Sequence, residues 1–170
     1  MKIRLYGKVI NSIVDGPGIR YSIYTQGCAH HCKNCHNPKS WDFDGGIEED
    51  TTDIINEILR DKLVSGITFS GGDPIYQHEA CLKLIEDLRV ISDKHYDVAV
   101  WTGFTFEELL SDQKYRKFLT KIDVIVDGPY MDDLRDLKLK WRGSSNQRII
   151  DVKESLKQGK AVLTSDPRWL

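Results

Sequence analysis

A chain of 170 residues has room for one core, and 40% hydrophobic with 29% charged residues is the balance of a globular protein. The net charge of −2 comes with neither a basic face nor an acidic tail, which argues against nucleic-acid and membrane-surface binding. Apolar runs such as Val98 to Trp101 and Val124 to Val126 are strand length, far short of a membrane span. The opening residues, Met1 to Tyr6, lack the apolar core of a signal peptide, and the cysteines are not spread in pairs as in a secreted scaffold. The expected compartment is therefore the cytoplasm, and the expected organisation a single domain over residues 1–170.

In chain order, Ile3 to Ile10 and Tyr21 to Thr25 are rich in Ile, Tyr and Val and predict strands. Thr51 to Leu63 predicts an amphipathic helix with Ile54, Ile55, Ile58 and Leu59 on one face and Thr51 or Thr52 as its cap. Ile67 to Phe69 is a short strand running into Gly71-Gly72, and Glu79 to Ser92 is helical, with Leu82, Leu84, Ile85 and Leu88 apolar. Val98 to Trp101 and Ile122 to Val126 are strands, with a helical pattern from Phe106 to Leu119 between them. A last unit comprises Arg148 to Val152, a short helix near Lys153 to Lys157, and Ala161 to Thr164. Strands alternating with helices imply βαβ crossovers, so the expected fold is α/β with a mainly parallel, curved sheet. A closed eight-fold barrel needs roughly 250 residues, so the expectation is a partial or open (β/α) barrel.

The chemistry-bearing segments follow the strands. The cysteine loop comes after Tyr21 to Thr25, Ser70-Gly71-Gly72-Asp73-Pro74 after the next strand, then Thr102-Gly103, then Asp127-Gly128-Pro129. In parallel α/β sheets ligands bind at the C-terminal strand edge, where all four loops would lie. Alone, Gly-Gly-Asp-Pro and Asp15-Gly16-Pro17-Gly18 read as turns. Cys81 falls on the apolar face of a helix and reads as a core thiol, and the four tryptophans read as packing.

Cys28, Cys32 and Cys35 stand in C-x3-C-x2-C spacing. Soft thiolates so spaced wrap one loop around a compact metal centre. Iron–sulfur cubanes usually take four cysteines, so three leave one iron open to a substrate. The alternative is a zinc site of three Cys and one of His30, His31 or His36, although structural zinc more often uses two separated pairs.

The cysteine spacing, with Gly71-Gly72-Asp73-Pro74 after the next βα unit, resembles the radical S-adenosylmethionine superfamily. The resemblance implies a [4Fe-4S] cluster on Cys28, Cys32 and Cys35, with S-adenosylmethionine chelating the fourth iron. It places Gly71, Gly72 and Asp73 at the methionyl amino group and Thr102 and Gly103 at the carboxylate or ribose. Asn34 packs against the cofactor where many members carry an aromatic residue, and Asp127 either contacts cofactor or starts the Gly-Pro turn. Val14 to Arg20 and Cys35-His36-Asn37-Pro38 resemble the activating enzymes of glycyl-radical enzymes. Val126 to Tyr130 and Arg142 to Asp151 resemble the branch acting on anaerobic ribonucleoside-triphosphate reductase. The implied partners are that reductase's large subunit, its glycyl loop docking on Asp15 and Gly16, and a flavodoxin-like electron donor. Arg142 to Arg148 would pair with a carboxylate or partner surface, or form a solvated loop. Two other readings remain: an activase of pyruvate formate-lyase or another glycyl-radical enzyme, and a zinc-binding interaction module.

Overall fold

The computed structural model describes residues 1–170. Seven strands form one sheet: β1 (Lys2–Ser12), β2 (Arg20–Thr25), β3 (Ile47–Asp50), β4 (Gly66–Gly71), β5 (Asp97–Trp101), β6 (Val124–Asp127) and β7 (Arg148–Asp151). Their order across the sheet is β3-β1-β2-β4-β5-β6-β7. The helices are α1 (Thr51–Arg60), α2 (His78–Ile91), α3 (Phe106–Ser111), α4 (Arg116–Leu119) and α5 (Val152–Gln158).

The mainly parallel, barrel-like sheet expected from the alternating pattern is not what forms. Only the central pairings β2–β4, β4–β5 and β5–β6 are parallel, while β1–β2, β1–β3 and β6–β7 are antiparallel. The sheet is mixed, for a physical reason. A parallel step needs a long crossover, whereas an antiparallel step needs only a turn or loop. No helix separates β1 from β2, and the long connection from β6 to β7 holds only a 3-10 turn at Asp132–Leu134. Both connections therefore return the chain antiparallel.

Alternation along the strands divides the sheet into two unlike faces. Ile67, Phe69, Val98, Val100, Ile125 and Ile150 join the buried faces of all five helices in a core of 27 residues. The intervening Ala99, Val124, Val126 and Ile149 look the other way and meet only Trp169, flanked by Trp101 and Trp141. That second face carries no helix and is covered by loops.

Several boundaries differ from expectation. The cap of α1 is Asp50, whose carboxylate accepts from the Thr52 N–H, rather than either threonine. The helical pattern of Phe106 to Leu119 breaks at Asp112, which ends α3 and caps a 3-10 turn through Lys114 N–H. Such short polar side chains compete with the helix for backbone groups. Ala161 to Thr164 makes only one bridge, Leu163 to Ile150. The edge strand β3, sequence Ile-Glu-Glu-Asp, was not expected because acidic residues are poor strand formers. Its charges meet those of β1 instead, Lys8 Nζ lying 2.8 Å from both Glu49 and Glu57.

Candidate functional site

Strands β2, β4, β5 and β6 are parallel, so their C-terminal ends, Thr25, Gly71, Trp101 and Asp127, share one edge. The loops leaving that edge enclose a cavity of about 450 Å³. Cys28, Cys32 and Cys35 all line it, with Gly71 and Gly72 from the β4 loop, Thr102 and Gly103 from the β5 loop, and Asp15 from the β1–β2 loop.

The cysteine loop is tied at its base by a residue that motif reading passed over. Gln26 Nε2 donates to the carbonyls of Lys39 at 2.9 Å and Asp42 at 2.7 Å. Gly27 N–H donates to Ser40 O at 2.6 Å and Cys28 N–H to Trp41 O at 3.2 Å, closing the loop on itself. Gly72 is demanded here, because a Cβ would lie 2.5 Å from the Gly27 carbonyl. Gly71 has φ +101 and packs directly on the backbone of Thr25. The close approach these glycines permit is thus first of all between two loops of the protein.

Asp73 is fully buried beneath the cavity floor rather than in its lining. One carboxylate oxygen accepts from Thr102 Oγ1 at 2.8 Å and Gly103 N–H at 2.9 Å and lies 2.7 Å from His30 Nε2. The other accepts from Ile75 N–H at 3.0 Å. The carboxylate therefore locks the cysteine loop, the β4 loop and the β5 loop together.

The remaining predicted residues divide by position. Asp15 Oδ2 accepts from Ser12 Oγ at 2.6 Å and Tyr24 OH at 2.5 Å, and burial together with this bond pushes the Tyr24 phenol well above its ordinary pKa. Gly16 lies outside the lining, packed against Arg20 and Trp169 at φ +114. Asn34 also lies outside it, and Nδ2 donates to Asp132 at 2.8 Å, joining the cysteine loop to the β6–β7 connection. Asp127 is buried, accepting from Phe106 N–H at the start of α3 and from Arg148 Nη2 at 2.6 Å, and only the neighbouring Gly128 reaches the cavity.

Three tryptophans read as packing, Trp41, Trp101 and Trp141, instead line the cavity, as do Tyr130, Arg142 and Gln147. Only Trp169 is buried. An alternation placing Trp101 opposite the core-facing Val98 and Val100 was the available signal for its outward turn. His31 stacks on Trp41 at 4.5 Å, His36 sits beside Tyr130, and Cys81 is fully buried in α2 away from the cavity.

The donor set fits an iron–sulfur cluster. Three thiols on one loop face one cavity, and the fourth cysteine is out of reach in the core. No three His, Cys, Asp or Glu side chains are gathered tightly enough to hold a single ion. A cluster bonds its cysteines to different irons, so its ligands stand apart. Burial pushes the Cys28 thiol up to about 11, the His30 backbone N–H opposes this, and nearby Asp73 adds to it. Burial raises Cys32 too, while the Tyr130 N–H favours its thiolate. Metal must displace these protons on binding, and the N–H groups aimed at sulfur are the kind that tune a bound cluster.

Residues 14–150 match the family model described as a 4Fe-4S single cluster domain. The chain is 39% identical over 145 residues to the anaerobic ribonucleoside-triphosphate reductase-activating protein of Haemophilus influenzae, covering 81% of this chain and 90% of that one. The proteins of the same name from Escherichia coli strain K12 and Enterobacteria phage T4 are 37% identical over 143 residues and 35% identical over 141. Those alignments cover 81% and 80% of this chain, and 91% and 86% of the relatives. The chain belongs to this single-cluster 4Fe-4S family, of which these activating proteins are its relatives. No helix is long and apolar enough to cross a membrane.

Proposed function

We propose that this chain is a radical S-adenosylmethionine activase that forms a glycyl radical on the large subunit of anaerobic ribonucleoside-triphosphate reductase. The observation that carries the proposal is the convergence of three cluster-type thiols, the Gly71-Gly72 turn and Asp15 on a single cavity. When bound, the cluster supplies one low-potential electron, and S-adenosylmethionine supplies, once reductively cleaved, the species that takes the hydrogen atom.

Cys28, Cys32 and Cys35 hold the cluster as thiolates. Asp73 acts from below, holding the Thr102 hydroxyl and the Gly103 N–H so that the β5 loop keeps a fixed position along the cofactor. Trp101, Trp141 and Tyr130 form an apolar wall that keeps water from the reacting atoms. Asp15, held by Ser12 and Tyr24, presents its remaining acceptor capacity at the rim, where a backbone N–H of the glycyl loop would dock. Asn34 and Asp127 brace the loops that carry these groups, and Gly16 lets the Asp15 loop settle onto Trp169. A flavodoxin-like donor reducing the cluster, one domain over residues 1–170 and a cytoplasmic setting complete the proposal.

Anaerobic reconstitution with iron and sulfide tests it. The expected product is a brown protein with about four irons per chain, as a cubane requires, that cleaves S-adenosylmethionine when reduced. Stoichiometric zinc with no cleavage would overturn the reading in favour of an interaction module.

A further inference from the structure

The middle of β4 carries a hydroxyl that neither the core nor the cavity uses. Ile67 and Phe69 point into the core, so Thr68 between them faces the loop-covered side of the sheet, where it is fully buried. Its partners on the adjacent strands, Ser22 on β2 and Ala99 on β5, are small and let the β1–β2 loop settle close to the sheet. Thr68 Oγ1 donates to the main-chain carbonyl of Asp15 at 2.7 Å and accepts from Arg20 Nε at 2.7 Å.

Arg20 makes that contact rigid. Its side chain is fully buried and paired with Asp97 at 2.8 Å. Nη1 also donates to Pro17 O at 3.0 Å, and Nη2 donates to Ile67 O at 3.0 Å and Asp97 O at 3.4 Å. All five N–H groups of the guanidinium are thus engaged, and together they tie the loop to β4 and β5. Gly16 is wedged between them, where a Cβ would lie 3.0 Å from Arg20 Cδ and 3.1 Å from the Trp169 ring.

The loop therefore has two separate anchorages. Ser12 and Tyr24 hold the Asp15 carboxylate, whereas Thr68 and Arg20 hold the main chain on either side of Gly16. Asp15 lines the cavity, but Thr68 and Arg20 line no part of it. We propose that Thr68, braced by Arg20, is a positioning residue for partner docking: it fixes the height of the Asp15-Gly16-Pro17 loop above the sheet and so sets where Asp15 meets the reductase. The inference rests on the docking role given to Asp15 above and extends it to two residues that touch neither cofactor nor partner. Fixing the loop before the partner arrives lowers the cost of ordering it on binding, so the effect belongs to affinity rather than to the chemical step.

The test uses the full chain reconstituted to equal iron and sulfide content. Affinity for the large reductase subunit is read by fluorescence titration of the labelled subunit, and S-adenosylmethionine cleavage is read without that subunit. Thr68→Val should weaken the affinity about 3- to 10-fold, the range of one hydrogen bond. The subunit concentration that half-saturates glycyl-radical formation should rise by the same factor, with partner-free cleavage and radical yield at saturation kept. Thr68→Ser, which retains the hydroxyl, should match wild type. With Asp15→Ala already in place the docking group is gone, so adding Thr68→Val should cost less than about 2-fold more. A merely structural role would lower cleavage too, or would add in full on Asp15→Ala, and either result would overturn the assignment, as would an unchanged affinity in Thr68→Val. If Thr68→Val does not fold, Arg20→Lys, which keeps the charge beside Asp97 and gives up the fork, must show the same selective and non-additive loss, or the assignment fails. Wild-type protein that does not bind the large subunit would sink the docking reading itself, a result distinct from all of these.

Discussion

Asp73 shows how a single side chain can hold a site together from beneath its floor. Its carboxylate is wholly enclosed and meets Thr102, Gly103, Ile75 and His30. Removing it leaves several buried polar groups unsatisfied at once. Asp73→Ala should therefore cost the chain about 3 kcal/mol or more, read as a lowered urea midpoint before any cluster is added. A variant as stable as wild type would mean that the carboxylate is spent on a ligand instead. At the thiols the expectation is sharper. Cys28→Ala, Cys32→Ala and Cys35→Ala should each lose the cluster and cofactor cleavage, while Cys81→Ser keeps both, as iron content and absorbance will report. Loss of the cluster from Cys81→Ser alone would contradict the ligand assignment. Asp15→Asn should spare cleavage without partner yet lower glycyl-radical yield; equal loss of the two would move Asp15 into the cofactor site or the fold.

At the scale of elements, the junction of α3, β6 and β7 has a defined electrostatic signature. Arg148 spans Asp127 and Glu107, and its hydrogen bonds hold the Glu107 carboxyl below its ordinary value of 4.5. A lowered carboxylate pKa stabilises the fold above the unfolded value, and the contribution fades as pH falls through the folded one. Wild type should melt above Glu107→Gln at pH 6, by a small margin because the pair is partly exposed, with the gap closing below about pH 4.5. A gap that does not narrow at all between pH 6 and pH 3 would rule out the ion pair as its source. The cap of α1 allows a simpler check: Asp50→Ala should lower the urea midpoint, because the Thr52 N–H loses its acceptor, and an unchanged midpoint would mean that the cap contributes nothing. Local patterning made most of these elements legible. Ile54, Ile55 and Ile58 marked α1, and β-branched runs marked the central strands. Asp112 and the acidic β3 escaped because their state is set by a side-chain hydrogen bond and by charges on a neighbouring strand, neither of which periodicity carries.

For the whole molecule, the decisive property is the unequal treatment of the two sheet faces. All five helices cover one face, and loops cover the other, so the cavity opens where no helix obstructs an incoming chain. The C-terminal Trp169 underpins this face, lying 5.8 Å from the rings of Trp101 and Trp141 and against Gly16. The clustering of Cys28, Cys32 and Cys35 with Gly71 and Gly72 could be read from spacing, because βα connections return each loop to one strand edge. The mixed sheet could not be read from alternation alone, since the β1–β2 and β6–β7 connections differ from crossovers only in what they lack. The place of Trp141 on the cavity wall was hidden for a related reason: its loop has no period, and its path is fixed by contacts such as those of Gln147 and Asn146.

The central claim is that this cavity makes a radical for another protein, and electron paramagnetic resonance tests it most directly. The reconstituted chain is mixed anaerobically with the large reductase subunit, S-adenosylmethionine and reductant. A glycyl-radical signal should appear on the reductase, and should be absent when Cys32→Ala replaces the wild type. Cofactor cleavage at full rate with no signal on the reductase, or a signal that forms without this chain, would contradict the account.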